Sequence, residues 1–444
     1  MKTYKSGPYT AIETGIGIFL AEERTPFSDV QPFISDANIN PVLIGEHQVL
    51  PFGAQNSLPE DLRVILDENH ITPELLNKQT QLLWGQGPDT YVLSKKDGKR
   101  VKTWVDDKAV NDWLKSWDYE AYLLKAVIEF RHLNGHFTKY FRNRGARIGQ
   151  KAFITHLEHI SSRNARLVWP GSPLLPVERI LVGDFIQYWQ TGLYDYPVFN
   201  PAKPFENQIA MNYSNLYSFA LDNAYSRPST FGIFNWIKLA SSLPKLLMNF
   251  NANSAAIRYH IQSPSIYWEQ KRNQLKENCR IKNIPYTDDL FEDLKDEIYT
   301  RFSEGLIGIE QAGKMITSET IYDEVGQEYV GWKVDVIDQK VKDYISAQVE
   351  IAKRADFEMT AGVGLHPALS NMSADGNLPS GSEQLYAFKL YLKTAVDIPE
   401  SIVCKPINMA LKANFPDKDI KIGFYHDTVE VEESITPSQR IKNS

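Results

Sequence analysis

Residues 338 to 411 constrain this chain more than any other stretch: two helix-like segments are separated there by a loop that neither helix nor strand patterning explains. The first segment carries Val341, Ile345, Val349, Ala352 and Ala355 on one side, with Lys342, Asp343, Glu350, Lys353 and Arg354 on the others. That spacing is the 3.6-residue period of an amphipathic helix, which should open at Asp338. The loop from Gly362 to Ser382 is rich in Gly, Ser and Asn and contains no Lys or Arg. A loop of that length without structure of its own is uncommon, and is usually functional or disordered. Ser380-Gly-Ser-Glu383 then has the spacing of a capping box and predicts the start of a second helix, continued by Leu385, Phe388, Tyr391 and Leu392. Pro399 falls inside this apolar pattern. A proline there removes a backbone donor and clashes with the preceding turn, so the helix is expected to kink or restart between Val396 and Pro399.

The whole chain has 444 residues, enough for two or three domains, and its 43% hydrophobic content suffices for a sizeable core. The formal net charge of −7 argues against tight gripping of a nucleic acid backbone, which requires clustered Lys and Arg. The two cysteines, Cys279 and Cys404, are far apart and neither lies in a CxxC. No disulfide framework or cysteine zinc motif is therefore expected, and a reducing compartment fits. Glu13 interrupts the apolar run that follows Lys2 and Lys5, so no secretion signal is expected. The best membrane candidate, Phe231 to Phe250, contains Asn235, Lys238, Pro244 and Lys245 and is rejected as a bilayer span.

Along the chain, residues 1 to 56 read as a loop-rich arm. Thr72-Pro73-Glu74 opens a helix that Gly85, Gly87 and Pro88 stop. Thr90 to Leu93 and Val101 to Val105 form a hairpin about Asp97-Gly98, and Trp113 to Phe130 is one helix. Phe137 to Phe141, Ile154 to Trp169 and Ile180 to Trp189 read as strands, and Tyr194 to Ser229 as a long connection with one short helix. In the apolar helix from Phe231, Pro244 either breaks the helix or begins a second one capped by Ser241 or Ser242. Between residues 256 and 337, short strands (Ala256 to Gln262, Lys314 to Thr317, Tyr329 to Ile337) flank the helices Tyr267 to Cys279 and Leu290 to Phe302. Asp419 to Tyr425 and Thr428 to Val431 suggest a last pair of strands.

Candidate chemistry is sparse. Gly308-Ile-Glu-Gln-Ala-Gly313-Lys314 has GxxxxGK spacing, but Met315 stands where Ser or Thr would hold magnesium, and no long helix follows. A helix end and turn explains it more simply. His132/His136 and His156/His159 have helical spacings that could place two imidazoles on one face for a metal. Gly135 intervenes in the first pair, however, and there is no HExxH. Lys139, Arg142, Arg144, Arg147 and Lys151 form a small basic cluster, read as a solvated strand and turn with a phosphate-facing patch as the alternative. No Ser, His and Asp set, GxSxG or Rossmann fingerprint is present. No catalytic residue, metal or cofactor is assigned.

The order of segments from about 230 to 430 resembles that of tailed-bacteriophage portal proteins, of the compact siphophage-like type. The resemblance rests on Phe231 to Asn251, the module containing Glu304-Gly-Leu-Ile-Gly-Ile-Glu-Gln-Ala-Gly-Lys314, the helix from Asp338, Gly364-Leu-His-Pro-Ala-Leu-Ser370, Pro379-Ser-Gly-Ser-Glu383 and the kinked helix. It implies an α+β portal fold: an arm (1–56), a mixed α/β wing (57–239), stem helices (240–257 and 338–358) and a small α+β clip between them (258–337). A tunnel loop (359–382), a kinked tunnel helix returning to the wing (383–432) and a flexible tail (433–444) complete it. It also implies a non-enzymatic ring, typically of twelve subunits, at one capsid vertex of the virion, assembled in the host cytoplasm. Such a ring passes double-stranded DNA during packaging and ejection. It docks the terminase large subunit, the major capsid protein and a head-completion or adaptor protein, without a membrane. The loop residues His366, Ser370, Asn371, Asn377, Leu378 and Ser380 would face the tunnel, and Pro399 would bend the helix behind them. The competing readings are a nucleotide- or metal-dependent nucleic acid enzyme using Lys314 or the His132/His136 pair, and a different ring or scaffold component of a virion.

Overall fold

The computed structural model describes residues 2–6, 9–14, 17–22, 40–53, 55–96, 98–172, 174–185, 192–217, 225–253, 259–306, 321–323, 328–336, 341–370 and 380–427. Among these the chain is α+β, built from small antiparallel sheets and helices. It divides into two units, residues 1–243 with 350–444, and residues 244–349.

In the first unit the arm is more regular than expected. β1 (Lys2–Ser6), β2 (Tyr9–Thr14) and β3 (Gly17–Glu22) form a meander, and β4 (Val42–Ile44) pairs with β5 (His47–Val49). α1 (Leu58–Asp67) buries Leu58, Leu62 and Leu66 along one face. α2 (Thr72–Trp84) has Pro73 as its second residue, and Gly85 closes it at φ +56. β6 (Gly87–Lys96) and β7 (Lys99–Trp104) make the expected hairpin, with Lys96 opposite Lys99.

The helix expected from Trp113 to Phe130 is two helices, α3 (Lys108–Lys115) and α4 (Tyr119–Leu133). The cause is local. Asp107 accepts from the Val110 amide at 3.1 Å and Asp118 from the Ala121 amide at 3.1 Å, so each aspartate starts its own helix. β8 (Gly135–Arg142) follows, then β9 (Ile154–Ile160), β10 (Ala165–Leu167) and β11 (Arg179–Val182). The stretch read as one strand from Ile154 to Trp169 is thus broken at Ser161. The stretch read as a long connection contains β12 (Tyr194–Pro197) and β13 (Ile209–Asn215); β13 pairs with β8 from Ile209–Phe141 to Asn215–Gly135.

α5 (Phe234–Asn253) passes through Pro244 without a break, correcting the expected interruption. Ser241 Oγ donates to the Ile237 carbonyl at 2.9 Å and Ser242 Oγ to Leu239 at 2.8 Å, so neither serine caps a new helix. The second unit holds β14 (Tyr259–Gln262), α6 (Ser265–Lys282), α7 (Asp288–Leu306), β15 (Ile321–Asp323), β16 (Glu328–Val330) and β17 (Lys333–Val336). The strand expected over Tyr329 to Ile337 is divided between β16 and β17, and Lys314 to Thr317 lie outside the described residues. β14 pairs with β17, and Trp268 packs its ring against Tyr267, Phe291, Tyr299 and Trp332 as a small aromatic core.

The first unit resumes with α8 (Val341–Val363), which crosses the division, then α9 (Gly381–Thr394), α10 (Asp397–Val403), α11 (Lys405–Asn414) and β18 (Lys421–Tyr425). β18 pairs with β6, so the end of the described chain closes the sheet begun near its start. Residues 428–444, including the expected strand over Thr428 to Val431 and the tail, lie outside the described residues. The core of this unit centres on Leu76, Leu83, Leu123, Val127, Phe130 and Phe137, all essentially solvent-free. Two asparagines on α11 stitch it to sheet edges as strand mimics. The Asn408 amide accepts from Ile422 N at 2.8 Å and donates to Ile422 O at 3.3 Å; Asn414 does the same to Ile154 at 2.8 and 2.9 Å. No helix among the described residues is long and apolar enough to cross a membrane.

Candidate functional site

The loop between α8 and α9 is held by two folded feet. The first begins inside α8. Asn69 is buried, its Oδ1 accepting from Ile71 N at 3.0 Å and Thr72 N at 2.8 Å, its Nδ2 donating to Ile237 O at 3.2 Å and Ser241 Oγ at 3.3 Å. Thr72 Oγ1 reaches Met359 Sδ at 3.4 Å, and Gln79 Nε2 donates to Val363 O at 2.6 Å. The last turns of α8 are therefore tied to α2 and α5 by polar groups that water cannot reach. Gly362 permits this approach: a Cβ there would stand 2.1 Å from Ile233 Cγ2.

α8 ends in a Schellman motif. Gly364 adopts φ +78, its amide donates to Ala361 O at 3.0 Å, and the Leu365 amide donates to Thr360 O at 3.2 Å. His366 Nδ1 accepts from Ala368 N at 3.2 Å and caps a 3-10 turn over Pro367–Leu369, while Ser370 Oγ donates to Pro367 O at 2.9 Å. Leu365, Ala368 and Leu369 are buried. The helix thus runs to Val363 rather than stopping at 358, and residues 364 to 370 are folded rather than loop. On the other side, Ser380 Oγ accepts from Glu383 N at 3.2 Å and starts α9, the hydroxyl half of the expected capping box.

Of the loop residues singled out from the sequence, His366 and Ser370 therefore belong to the first foot and Ser380 to the second. Asn371, Asn377 and Leu378 lie outside the described residues.

Behind the second foot the helix bends twice, not once. α9 gives way to α10 at Ala395 and Val396, and α10 gives way to α11 at Cys404. Pro399 is the third residue of α10 and Pro406 the second of α11. The first amides of a helix have no intrahelical acceptor, so each proline removes a bond that would not have formed. The bend is held by Glu400, only 5% exposed, whose Oε1 accepts from Lys102 Nζ at 2.5 Å and whose Oε2 accepts from Phe424 N at 3.2 Å. Lys102 also lies 5.0 Å from the centre of the Tyr91 ring. Burial, reinforced by the Glu400 charge, pushes the Tyr91 hydroxyl up to about 12. At Gly423 a Cβ would sit 2.7 Å from Tyr91 Cε1 and 2.8 Å from Glu400 Oε1, so only glycine admits this contact.

The histidines do not form a site. His132, in the last turn of α4, bonds the Ile128 carbonyl through Nδ1 at 2.8 Å. His136 is on β8 and solvent-free. Burial, with a smaller contribution from His159, brings it down to about 3. Asn134 at φ +55 separates helix from strand, so the four-residue spacing does not place the two rings on one helical face. His159 Nε2 instead pairs with Glu129 Oε2 at 2.6 Å, and His156 stacks on Phe141 at 4.4 Å. No group of three metal-binding side chains converges among the described residues. Lys314 lies outside them. In the basic cluster, Lys139 Nζ donates to Tyr196 Oη at 3.0 Å and Arg142 Nη1 donates to the Phe205 carbonyl, so those two cations serve local structure.

No protein-family model and no curated protein matches the sequence. Solved structures do. A chain in the virion of a native gene transfer agent particle matches over 86% of this chain and 87% of its own, with a TM-score of 0.50 and 11% identity. A chain in the neck of an empty gene transfer agent particle, computed with C6 symmetry, gives the same values. A chain in the neck of the native particle, computed with C12 symmetry, covers the same shares at 11% identity and a TM-score of 0.49. The chain has the fold of a component of these particles. That fold agrees with the resemblance to portal proteins drawn from the order of segments.

Proposed function

We propose that this chain is a portal protein: a ring-forming, non-enzymatic component of a phage-like virion, at one capsid vertex, through which double-stranded DNA is packaged and ejected. The fold shared over 86% of the chain with a component of gene transfer agent particles carries the reading. The neck of one such particle was computed with C6 symmetry, in keeping with a closed ring whose subunit number is a multiple of six; twelve is our reading.

In this reading the 57–239 region and the return from 383 to 432 form the wing, the paired passages of α5 and α8 the stem, and the unit between them the clip. The clip, over 258–337, would dock the terminase large subunit and a head-completion protein, and the wing would meet the major capsid protein. Assembly would take place in the host cytoplasm before the ring enters the virion.

The loop chemistry supports the role. Every phosphate neutralised by Lys or Arg adds a salt-dependent binding contribution, and a ring multiplies it by the subunit number. A surface that DNA must slide past is therefore best left without cations. Residues 364 to 382 carry none, and Asp375 is their only acidic residue. Fixed feet with a Gly-, Ser- and Asn-rich span between them would give each copy the same base and its own freedom to follow a duplex of different symmetry.

Imaging of the purified protein down its symmetry axis, with native mass spectrometry, tests the ring. A stable monomer under assembly conditions refutes it. Deleting 372–377 should leave ring assembly intact and impair packaging; normal DNA-filled particles would refute the tunnel assignment. The enzyme reading draws no support from the positions of His132 and His136, and silence in calorimetry with ATP, magnesium and zinc would remove it.

A further inference from the structure

The first unit carries an apolar knob and an apolar cleft at different places on its surface. The knob is on the connection between β10 and β11. At 92% exposed, Leu174 is the most exposed large apolar side chain among the described residues, and Leu175 beside it is 56% exposed. The turn that presents them is held in place. Ser172 Oγ accepts from Leu174 N at 3.3 Å and Ser172 O from Leu175 N at 3.2 Å, while Pro170 and Pro176 restrict the backbone on either side. The cleft, of about 190 Å³, lies between α1, α2 and α4. Leu62, Leu66, Pro73 and Leu133 form its floor, all buried, and Arg63 and Asp67 stand exposed at its rim. Arg63 Nε is 3.6 Å from Asp67 Oδ2, so the rim neutralises its own charge and the cleft favours a neutral, apolar guest.

We propose that the Leu174–Leu175 knob of one copy seats in the cleft between α1, α2 and α4 of the next, joining copies head to tail. This contact rests on the ring reading above and is the one that would link its neighbours. Size selects the guest. Small-molecule pockets commonly enclose about 300–1,000 Å³ and present convergent polar groups. A cavity of about 150 Å³ already accepts a benzene-sized group, so this cleft suits one or two leucine side chains. Topology selects the source. Arg163, just before β10, pairs with Glu60 of α1 at 2.6 Å, next to Pro59 of the cleft. The other end of the strand passes Val49 and Gln48 and leads to the knob. Knob and cleft are therefore different patches at opposite ends of β10. A contact between different patches repeats in one direction and makes a ring when the rotation closes. A leucine held out in water by a fixed turn loses little conformational freedom on docking and buries nearly its whole side chain. The knob anchors the contact without making all of it, since stable interfaces bury about 800 Å² per partner.

Cysteine trapping in the full-length protein tests the contact, because the native thiols of Cys279 and Cys404 are both buried. Leu174→Cys and Arg63→Cys replace exposed side chains and should leave the fold intact. Under a mild oxidant, chains of the two variants mixed before assembly should give a disulfide-linked dimer. Neither variant alone should give one, and the double variant should give a ladder of multimers. A dimer from Leu174→Cys alone would show a symmetric contact and overturn the proposal. So would an intrachain disulfide in the double variant, which would mean that the knob fills its own cleft. Absence of any cross-link would overturn it too, as when another segment of the same chain occupies the cleft. Independently, Leu174→Asp with Leu175→Asp should weaken association about 10- to 100-fold in sedimentation, with an unchanged circular dichroism spectrum. Rings as stable as the wild type's in that variant would overturn the knob and leave the ring reading standing. A wild type that stays monomeric under assembly conditions would remove both.

Discussion

His136 should make this protein acid-sensitive in a way that one substitution removes. The side chain is solvent-free on β8, and burial, then the neighbouring His159, brings it from the ordinary 6.5 down to about 3. The unfolded chain therefore binds a proton in a range where the folded protein refuses it. Stability from this group is complete above about pH 6.5 and is lost as pH falls toward 3. At about 1.36 kcal/mol per unit, the group should cost about 2 kcal/mol between pH 7.5 and pH 5, and about 5 kcal/mol below pH 3. In His136→Leu, Thr138, 3.4 Å from the His136 Nδ1, keeps its bond to the Tyr122 hydroxyl at 2.8 Å. The assay is denaturant unfolding of both proteins at pH 7.5, 6.5 and 5, at one protomer concentration. The stability difference between wild type and variant should move by about 2 kcal/mol in the variant's favour on acidification. A change below about 0.5 kcal/mol would show that His136 is not held neutral by its surroundings.

Glu400→Leu should destabilise the first unit by about 2–3 kcal/mol, since it strands the Phe424 amide and removes the Lys102 pair, part of whose charge water still screens; urea midpoints measure it. Gly362→Ala should cost about 1–3 kcal/mol through the clash with Ile233. Adding Ile233→Ala should recover part of that loss, and strict additivity in the double-mutant cycle would sink the close-packing argument. Asn414→Ala should cost about 2 kcal/mol, mostly from the orphaned Ile154 amide, because Trp113 Nε1 still donates to the Ile154 carbonyl at 2.9 Å. Faster hydrogen exchange at Ile154 would be its local signature.

What the sequence made legible was chiefly local. The helix of α8, the hairpin that pairs Lys96 with Lys99 and the cap at Ser380 depend on residues within a turn of one another, and the structure has all three. The division at Asp118 was equally local but hidden under an apolar pattern that runs straight across it. β13 could not be read because its partner, β8, lies far back in the chain, and its composition resembles that of a connection. The effect of a proline depends on where it falls in its helix. Pro244 sits inside a continuous helix, while Pro399 and Pro406 sit in first turns after breaks. The residue and its immediate neighbours do not settle which occurs. At Pro399 the decision comes from Glu400, whose partners Lys102 and Phe424 belong to other elements.

The same distinction changes the meaning of the loop. From sequence it is a single loop, beginning at Gly362 by its composition and at 359 by the resemblance to portal proteins. In the structure its first part is spent on a helix end, a glycine turn and a capped 3-10 turn with buried Leu365 and Leu369. Those feet depend on Asn69, Gln79 and Gly362, none of which carries any mark of function in the sequence. Only residues 371 to 379 remain between Ser370 and Ser380, and at about 3.6 Å per residue they can carry a tip no farther than about 18 Å from the feet. The start of that span is therefore set by the packing of α2, α5 and α8 rather than by its own composition, and in the portal reading proposed above its lack of cations would act within that reach.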